Sequence, residues 1–227
     1  MDIGETVQVE DFEAKYAKQN ALKKLKSNLG LFGRTMFPTA IAKAVPPFHH
    51  EIYRNLADDD KKRVLIAAPR GTAKSTVTSL ILPLHRIAFK PSASDLFMVI
   101  VSESQSQSIN FLSRIKYHLI HSKNFKEMFG DYGPDTAKRW TNNDVLLANG
   151  ARIVAVGTGQ RVRGFIEGDT RPNLIIVDDY ESELNASTPE ARAKNRKWIT
   201  EAVIPSLSDD GRIVMIGTVI SEDCFLY

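Results

Sequence analysis

From Arg63 to Thr76 the sequence reads R-V-L-I-A-A-P-R-G-T-A-K-S-T, and this stretch restricts the possible folds more than any other. An apolar run of strand character, Val64 to Ala68, breaks at Pro69 and passes through Gly71. It ends in Lys74-Ser75, just ahead of a segment with helical apolar spacing. Strand, tight loop and helix in this order make a phosphate loop. Backbone N–H groups and the helix N-terminus hold phosphate oxygens, a lysine reaches the β/γ-phosphates, and a hydroxyl binds Mg²⁺. Lys74 and Ser75 fit the last two roles, and Pro69, Arg70, Gly71, Thr72, Ala73 and Thr76 complete the candidate cradle. The usual pattern is G-x-x-x-x-G-K-[ST], and here Ala68 and Ala73 stand in both glycine positions. Alanine forms such a loop provided its φ angles stay negative.

The flanking segments fit a sheet covered by helices. Asp11 to Leu29 carries helix formers and no proline, with Gly30 as the expected stop, giving a helical arm over residues 1–45 ahead of a core at 46–227. P-P-F-H-H-E-I-Y-R-N-L reads as a short amphipathic helix with Ile52, Tyr53 and Leu56 on one side, and D-D-D-K-K at 58–62 as a solvated turn. Beyond Ser75, the positions Val77, Leu80, Ile81, Leu84 and Ile87 follow helical spacing, which Pro83 should kink or shorten. Leu96 to Val101 is the next strand, followed by a helix with Ile109, Leu112, Ile115 and Leu119 on one face. Val145 to Ala148, Asn149-Gly150 and Arg152 to Val156 read as a β-hairpin inserted on the sheet. Leu174 to Val177 is a strand buried on both faces, a helix starts near Ser187-Thr188-Pro189-Glu190, where either hydroxyl can cap, and Arg212 to Ile216 is the last strand. Alternating strands and helices argue for a parallel α/β sheet with ligands at the carboxyl ends of its strands.

A phosphate loop that drives hydrolysis needs acids. One carboxylate at the end of a neighbouring strand serves the metal, and a second orients or deprotonates the attacking water. The run L-I-I-V-D-D-Y-E-S supplies candidates. Asp178 is the metal-side acid by position, with Ser75 as the other metal ligand. The water-activating group is either Asp179, one methylene shorter than the glutamate usual there, or Glu181. Arg70, inside the loop, is placed to meet a γ-phosphate. Arg163, in the glycine-flanked loop V-G-T-G-Q-R-V-R-G, is either a surface arginine or a finger reaching a neighbouring subunit's nucleotide.

Composition narrows the classes. With 227 residues and 43% hydrophobic content the chain can bury a full core, and no apolar run approaches the ~20 residues that span a bilayer. The N-terminus lacks signal-peptide character, so cytosolic exposure is expected. Cys224 is the one cysteine, which excludes an internal disulfide and a thiolate metal cluster. Net charge is +3, which permits a polyanionic partner without requiring one. Basic residues crowd the N-terminal segment and the stretch Lys194, Arg196 and Lys197.

Taken together, these pieces resemble the ATPase domain of the large terminase subunit of tailed bacteriophages, the motor that packs DNA into procapsids. The residues that carry the resemblance are A-P-R-G-T-A-K-S-T, Q-R-V-R-G, R-P-N-L-I-I-V-D-D-Y-E-S, N-R-K-W and I-V-M-I-G-T-V, over about residues 45 to 227. The resemblance implies a P-loop NTPase fold of the RecA-like (ASCE) class with an N-terminal arm or lid, and ATP and Mg²⁺ as cofactors. Phe48 and His49 would bracket adenine, at a place where the family more often has Gln. Arg70 would be the loop arginine, Lys74 and Ser75 the phosphate and metal ligands, and Asp178 the metal-side acid. Asp179 would stand in the catalytic glutamate's slot, Arg163 would be a trans-acting finger, and Gly217-Thr218 the coupling motif. Implied partners are double-stranded viral DNA, the portal protein, the small terminase subunit and further copies of the chain in a pentameric ring, with no membrane partner. The implied place is the host cytoplasm, transiently at the procapsid portal vertex and not in the mature virion. Family members continue into a nuclease. No further acid cluster follows the ATPase motifs in this sequence, so no nuclease activity is expected of it. Alternatives are a helicase-like or other DNA-stimulated ATPase, and a non-hydrolysing nucleotide switch within a ring.

Overall fold

The computed structural model describes residues 3–41, 46–90, 96–160, 170–220 and 222–226, with side chains from Lys15 onward. Seven strands form one sheet in the order β1-β7-β6-β2-β5-β4-β3. These are β1 (Arg63–Ala67), β2 (Leu96–Ser102), β3 (Arg139–Trp140), β4 (Asp144–Leu146), β5 (Ala151–Gly157), β6 (Leu174–Asp178) and β7 (Arg212–Gly217). The five from β1 to β5 in that order run parallel; β4 and β3 add antiparallel at the β5 edge. Strand β7 lies between the loop-bearing β1 and the acid-bearing β6. The architecture is a mostly parallel sheet flanked by helices, the α/β class that the alternating strands and helices of the sequence imply.

Strand alternation sorts the core. Met98, Ile100, Ile153, Ala155, Ile176 and Val214 face one side, where α2 (Leu29–Met36), α3 (Pro47–Ala57), the helical run over 74–88 that begins with α4 (Lys74–Thr76), α6 (Gln105–His121) and α7 (Lys123–Phe129) cover them. Phe97, Val99, Val101, Val154, Val156, Ile175, Val177, Ile213 and Met215 face the other, against Ile199, Val203 and Leu207 beyond α8 (Pro189–Trp198). Thr188 caps α8, its hydroxyl accepting from the Ala191 N–H at 3.2 Å. Every residue of β6 is buried, as a central strand with both faces covered requires.

Three sequence expectations need correction. The N-terminal helix does not stop at Gly30: α1 (Ile3–Ser27) ends one residue before Asn28, whose side chain accepts from Leu31 N–H at 2.9 Å and starts α2. Gly30 lies inside α2, where a Cβ would come 3.0 Å from the Tyr53 ring, so its smallness serves packing against α3. Pro83 does not end its helix. A π-helical turn, Val77–Ile81, precedes α5 (Leu82–Ala88) and the backbone stays helical through both, so the proline is accommodated by a widened turn ahead of it and the run continues to Ala88. The hairpin at 144–157 exists, with β4 antiparallel to β5, but it is no insertion. Strand β5 pairs in parallel with β2 along its whole length and belongs to the core sheet.

Candidate active site

The carboxyl ends of β1, β7 and β6 gather the loop, the acids and Gly217-Thr218 at one edge of the sheet. After β1, the Ala68 N–H donates to the Gly217 carbonyl at 3.0 Å, prolonging the β1–β7 ladder by one bond. The chain then turns through Pro69, Arg70 and Gly71, with Gly71 at φ +78°. The Thr72 hydroxyl closes the turn on the Pro69 carbonyl at 2.8 Å. Ala73 occupies the left-handed region at φ +55°, ψ +21°. The requirement for negative φ at the alanines therefore fails at Ala73, and a non-glycine residue there costs about 1 kcal/mol. His49 Nε2 lies 2.6 Å from the Thr72 carbonyl oxygen, so that nitrogen carries the hydrogen and donates. A hydrogen bond of this kind contributes about 1 kcal/mol, the same size as the strain.

Helix initiation at Lys74 brings the side chains together. Lys74 is buried, with Nζ 3.1 Å from the Thr218 hydroxyl and 3.2 Å from Asp179 Oδ2. Ser75 Oγ donates to Asp178 Oδ1 at 2.9 Å, and Ser79 Oγ donates to Asp178 Oδ2. Asp178 has no exposed surface. Burial pushes its carboxyl up to about 6, against the pull of the two serine hydroxyls, with the neighbouring Asp179 charge adding to the rise. Ser102, at the end of β2, donates to the Asp178 carbonyl at 2.9 Å and ties a third strand to this point.

Asp179 is the first residue past β6 and also adopts positive φ, +44°. Its N–H donates to the Ile216 carbonyl at 2.9 Å, and its Oδ1 accepts from the Thr218 N–H at 3.1 Å. Gly217 makes that approach possible, because a Cβ would come 3.2 Å from Asp179 Oδ1 and 2.5 Å from Leu226 Cδ1. Thr218 thus touches both the buried ammonium and the second acid. Glu181 lies elsewhere: its Oε2 accepts from the Phe225 N–H at 2.8 Å, and burial raises its carboxyl above the ordinary range, opposed by that bond and by Arg196 and Arg192.

The other sequence candidates are spread around this centre. Arg70 is exposed and 3.9 Å from Glu183, at the solvent rim of the loop. Phe48 is exposed, its ring edge-on to His49 at 4.6 Å. Thr76 receives a hydrogen bond from Arg114 of α6 at 3.4 Å. Arg163 lies outside the described residues. Of the basic stretch on α8, Arg196 donates to the Asp223 carbonyl at 3.2 Å, Lys197 is 3.9 Å from Glu201, and Lys194 is exposed.

Sequence reasoning passed over Ser79, Ser102 and Arg114. Ser79 carried a readable signal, since it falls four residues after Ser75 on the same helical run, which places both hydroxyls on one face. The donor set suits a nucleotide with a hard divalent cation. A buried ammonium sits at a helix start, and a serine hydroxyl and a carboxylate offer oxygens of the kind Mg²⁺ takes when phosphates and water supply the rest. Among the described residues no group of three His, Cys, Asp or Glu side chains makes a closed protein metal cage.

No protein-family model and no curated protein matches the sequence. Solved structures do share the fold. The Thermus phage P74-26 large terminase ATPase domain aligns at a TM-score of 0.52 with 15% identity, over 80% of this chain and 67% of that one. S. cerevisiae Dbp5, in a complex that contains ADP, aligns at 0.52 with 11% identity, over 83% of this chain and 46% of that one. The HK97 bacteriophage large terminase aligns at 0.48 with 11% identity, and the chain spans 33% of its length. At these identities the likeness shows the fold alone, a RecA-like α/β sheet. No described helix is long and apolar enough to cross a membrane.

Proposed function

We propose that this chain is the ATPase motor of viral DNA packaging, hydrolysing ATP with Mg²⁺ to drive double-stranded DNA into a procapsid. One observation carries the ATPase reading: Lys74, Ser75, Asp178, Asp179 and Thr218, from three separate stretches of sequence, converge at the carboxyl ends of β1, β6 and β7. Bound Mg²⁺ supplies neutralising charge on the β- and γ-phosphates. Lys74 and the N–H groups at the helix start would bind those phosphates, and Ser75 Oγ with Asp178 would hold the metal. Asp179 orients the attacking water and accepts its proton. Arg70 meets the outer phosphate from the rim, Arg163 serves as the finger from a neighbouring subunit, and the Phe48 ring stacks on the base. Thr218 couples the cycle to movement, since its hydroxyl accepts from Lys74 Nζ and its N–H donates to Asp179, the two groups that meet the phosphates and the water.

Packaging, rather than ATP hydrolysis in general, is supported by the order of the terminase-like motifs and by the shared fold of the Thermus phage domain. The working assembly is a homo-oligomeric ring, a pentamer, on the portal vertex, with the portal protein and small terminase subunit as partners in the host cytoplasm. DNA contacts go to phosphates, since a packaging motor cannot depend on sequence, and binding therefore weakens steeply with salt. A helicase-like ATPase is the second reading, favoured by the equal TM-score of Dbp5. ATP turnover stimulated by blunt duplex DNA, without strand separation of a forked duplex, supports the motor. Unwinding of the fork by the isolated protein replaces it with the helicase.

A further inference from the structure

The loop after β1 lacks the glycine usual before its lysine, yet Ala73 there holds a conformation glycine adopts freely. A side chain from outside the loop meets it at that point. His49 is buried on α3, packed edge-on between Phe48 and Tyr53 with ring centroids 4.6 and 6.1 Å away, and its Nε2 is on the Thr72 carbonyl. That carbonyl belongs to the Thr72–Ala73 peptide, the plane whose orientation sets the φ of Ala73. The N–H groups of Gly71, Ala73 and Lys74 have no hydrogen-bond partner among the described residues, so this peptide's orientation decides where free donors point.

We propose that His49 is a positioning residue, its Nε2–H clamping the Thr72–Ala73 peptide in the anion-receiving orientation and so replacing the freedom of the missing glycine. The inference rests on reading the loop as a nucleotide phosphate site, and it deepens that reading. It gives His49 a task other than the adenine contact, because its donor nitrogen is held by the loop and not by a base.

The test is equilibrium titration of the whole chain with a fluorescent ADP, displaced by unlabelled ADP and by inorganic pyrophosphate. Removing the donor, as His49→Ala or the ring-preserving His49→Phe, is expected to weaken ADP and pyrophosphate alike by about tenfold, the size of one buried hydrogen bond. His49→Gln keeps an amide N–H and holds affinity within about threefold. Adding Ala73→Gly to either donor-less variant restores affinity to within about threefold, because glycine adopts positive φ without help. In turnover assays the loss falls on KM with kcat little changed, as for a contact that shapes binding. Weakening of ADP with pyrophosphate unaffected assigns His49 to the base and overturns the clamp. Failure of Ala73→Gly to restore binding overturns it too, since His49 then acts elsewhere than on the loop. Lys74→Ala run in parallel separates the two levels: unchanged binding in that variant defeats the nucleotide reading itself. Lost binding there, with donor-less His49 variants at parent affinity, defeats the clamp alone.

Discussion

The loop that follows β1 and the loop that follows β6 meet at the same edge of the sheet. Each holds one non-glycine residue at positive φ, Ala73 at +55° and Asp179 at +44°. They are held there by different means. Asp179 supplies its own support: Oδ1 takes the Thr218 N–H and Oδ2 pairs with Lys74, and aspartate tolerates the left-handed region better than most residues. Ala73 has only a methyl group, and its peptide is held by His49 from another helix. One loop is therefore shaped by its own side chain and the other by its surroundings. The functional groups follow the same division, because the first loop presents backbone donors and the second presents carboxylates.

The most damaging change to this arrangement is Lys74→Ala, which takes away the cation both loops share. ATP turnover is expected to fall by about 10³-fold or more, and steady-state hydrolysis assays read it directly; activity near the parent's sinks the site. Next comes the choice between acids on the second loop. Asp179→Asn retains the backbone conformation and the Thr218 contact but loses the proton acceptor, and kcat should drop by about 10²-fold or more. Glu181→Gln, remote from Lys74 and turned to Phe225, should stay within about threefold of the parent by the same criterion. The reverse pattern would move the catalytic role to Glu181.

A stability measurement tests the buried half of the second loop. Asp178 titrates near 6 in the folded chain against 3.8 in the unfolded one, so the ligand-free protein gains stability at this site as the pH falls from 6 toward 3.8. Above about pH 6 it carries the full penalty of a buried charge. Asp178→Asn should abolish turnover yet raise the unfolding free energy near pH 7.5 by on the order of 2–3 kcal/mol. That gap should close as the pH drops through the same window. Urea midpoints of parent and variant across pH 4 to 8 follow it, and a pH-independent difference contradicts the assigned shift. The smallest effects concern the backbone alone. Ala73→Gly relieves strain and should be neutral to stabilising by about 0.5 kcal/mol. Asp179→Gly, which also loses a hydrogen bond and an ion pair, should destabilise by about 1 kcal/mol. Equal responses at the two positions would erase the distinction between a self-supported loop and one held from outside.

Much of the edge was legible along the chain because its parts are local. Lys74-Ser75 after an apolar run, Asp178-Asp179 after another, and Gly217-Thr218 after a third each announce a strand ending in chemistry. The Thr188 cap and the amphipathic α3 are equally local patterns. What stayed hidden depends on which distant segments touch. The spacing put Ser79 on the face of Ser75, but only β6 brought Asp178 against it, and His49 looked like a base contact until α3 brought it to Thr72. The π-helical turn before Pro83 was also unreadable, since spacing specifies which face is apolar and not how a proline is accommodated.

The sequence alone determined the strand–loop–helix order, the apolar run Leu174 to Val177 and the presence of one lysine, one hydroxyl and two adjacent acids, because short-range periodicity and residue chemistry encode these directly. Only the tertiary structure decided that β7 enters between β1 and β6, which puts Thr218 between the ammonium and the second acid. It alone turned Asp179 rather than Glu181 toward Lys74 and set Ala73 at positive φ under His49. These outcomes arise from backbone pairing and packing between segments far apart in the chain, where a single register or peptide orientation fixes which side chain faces the site.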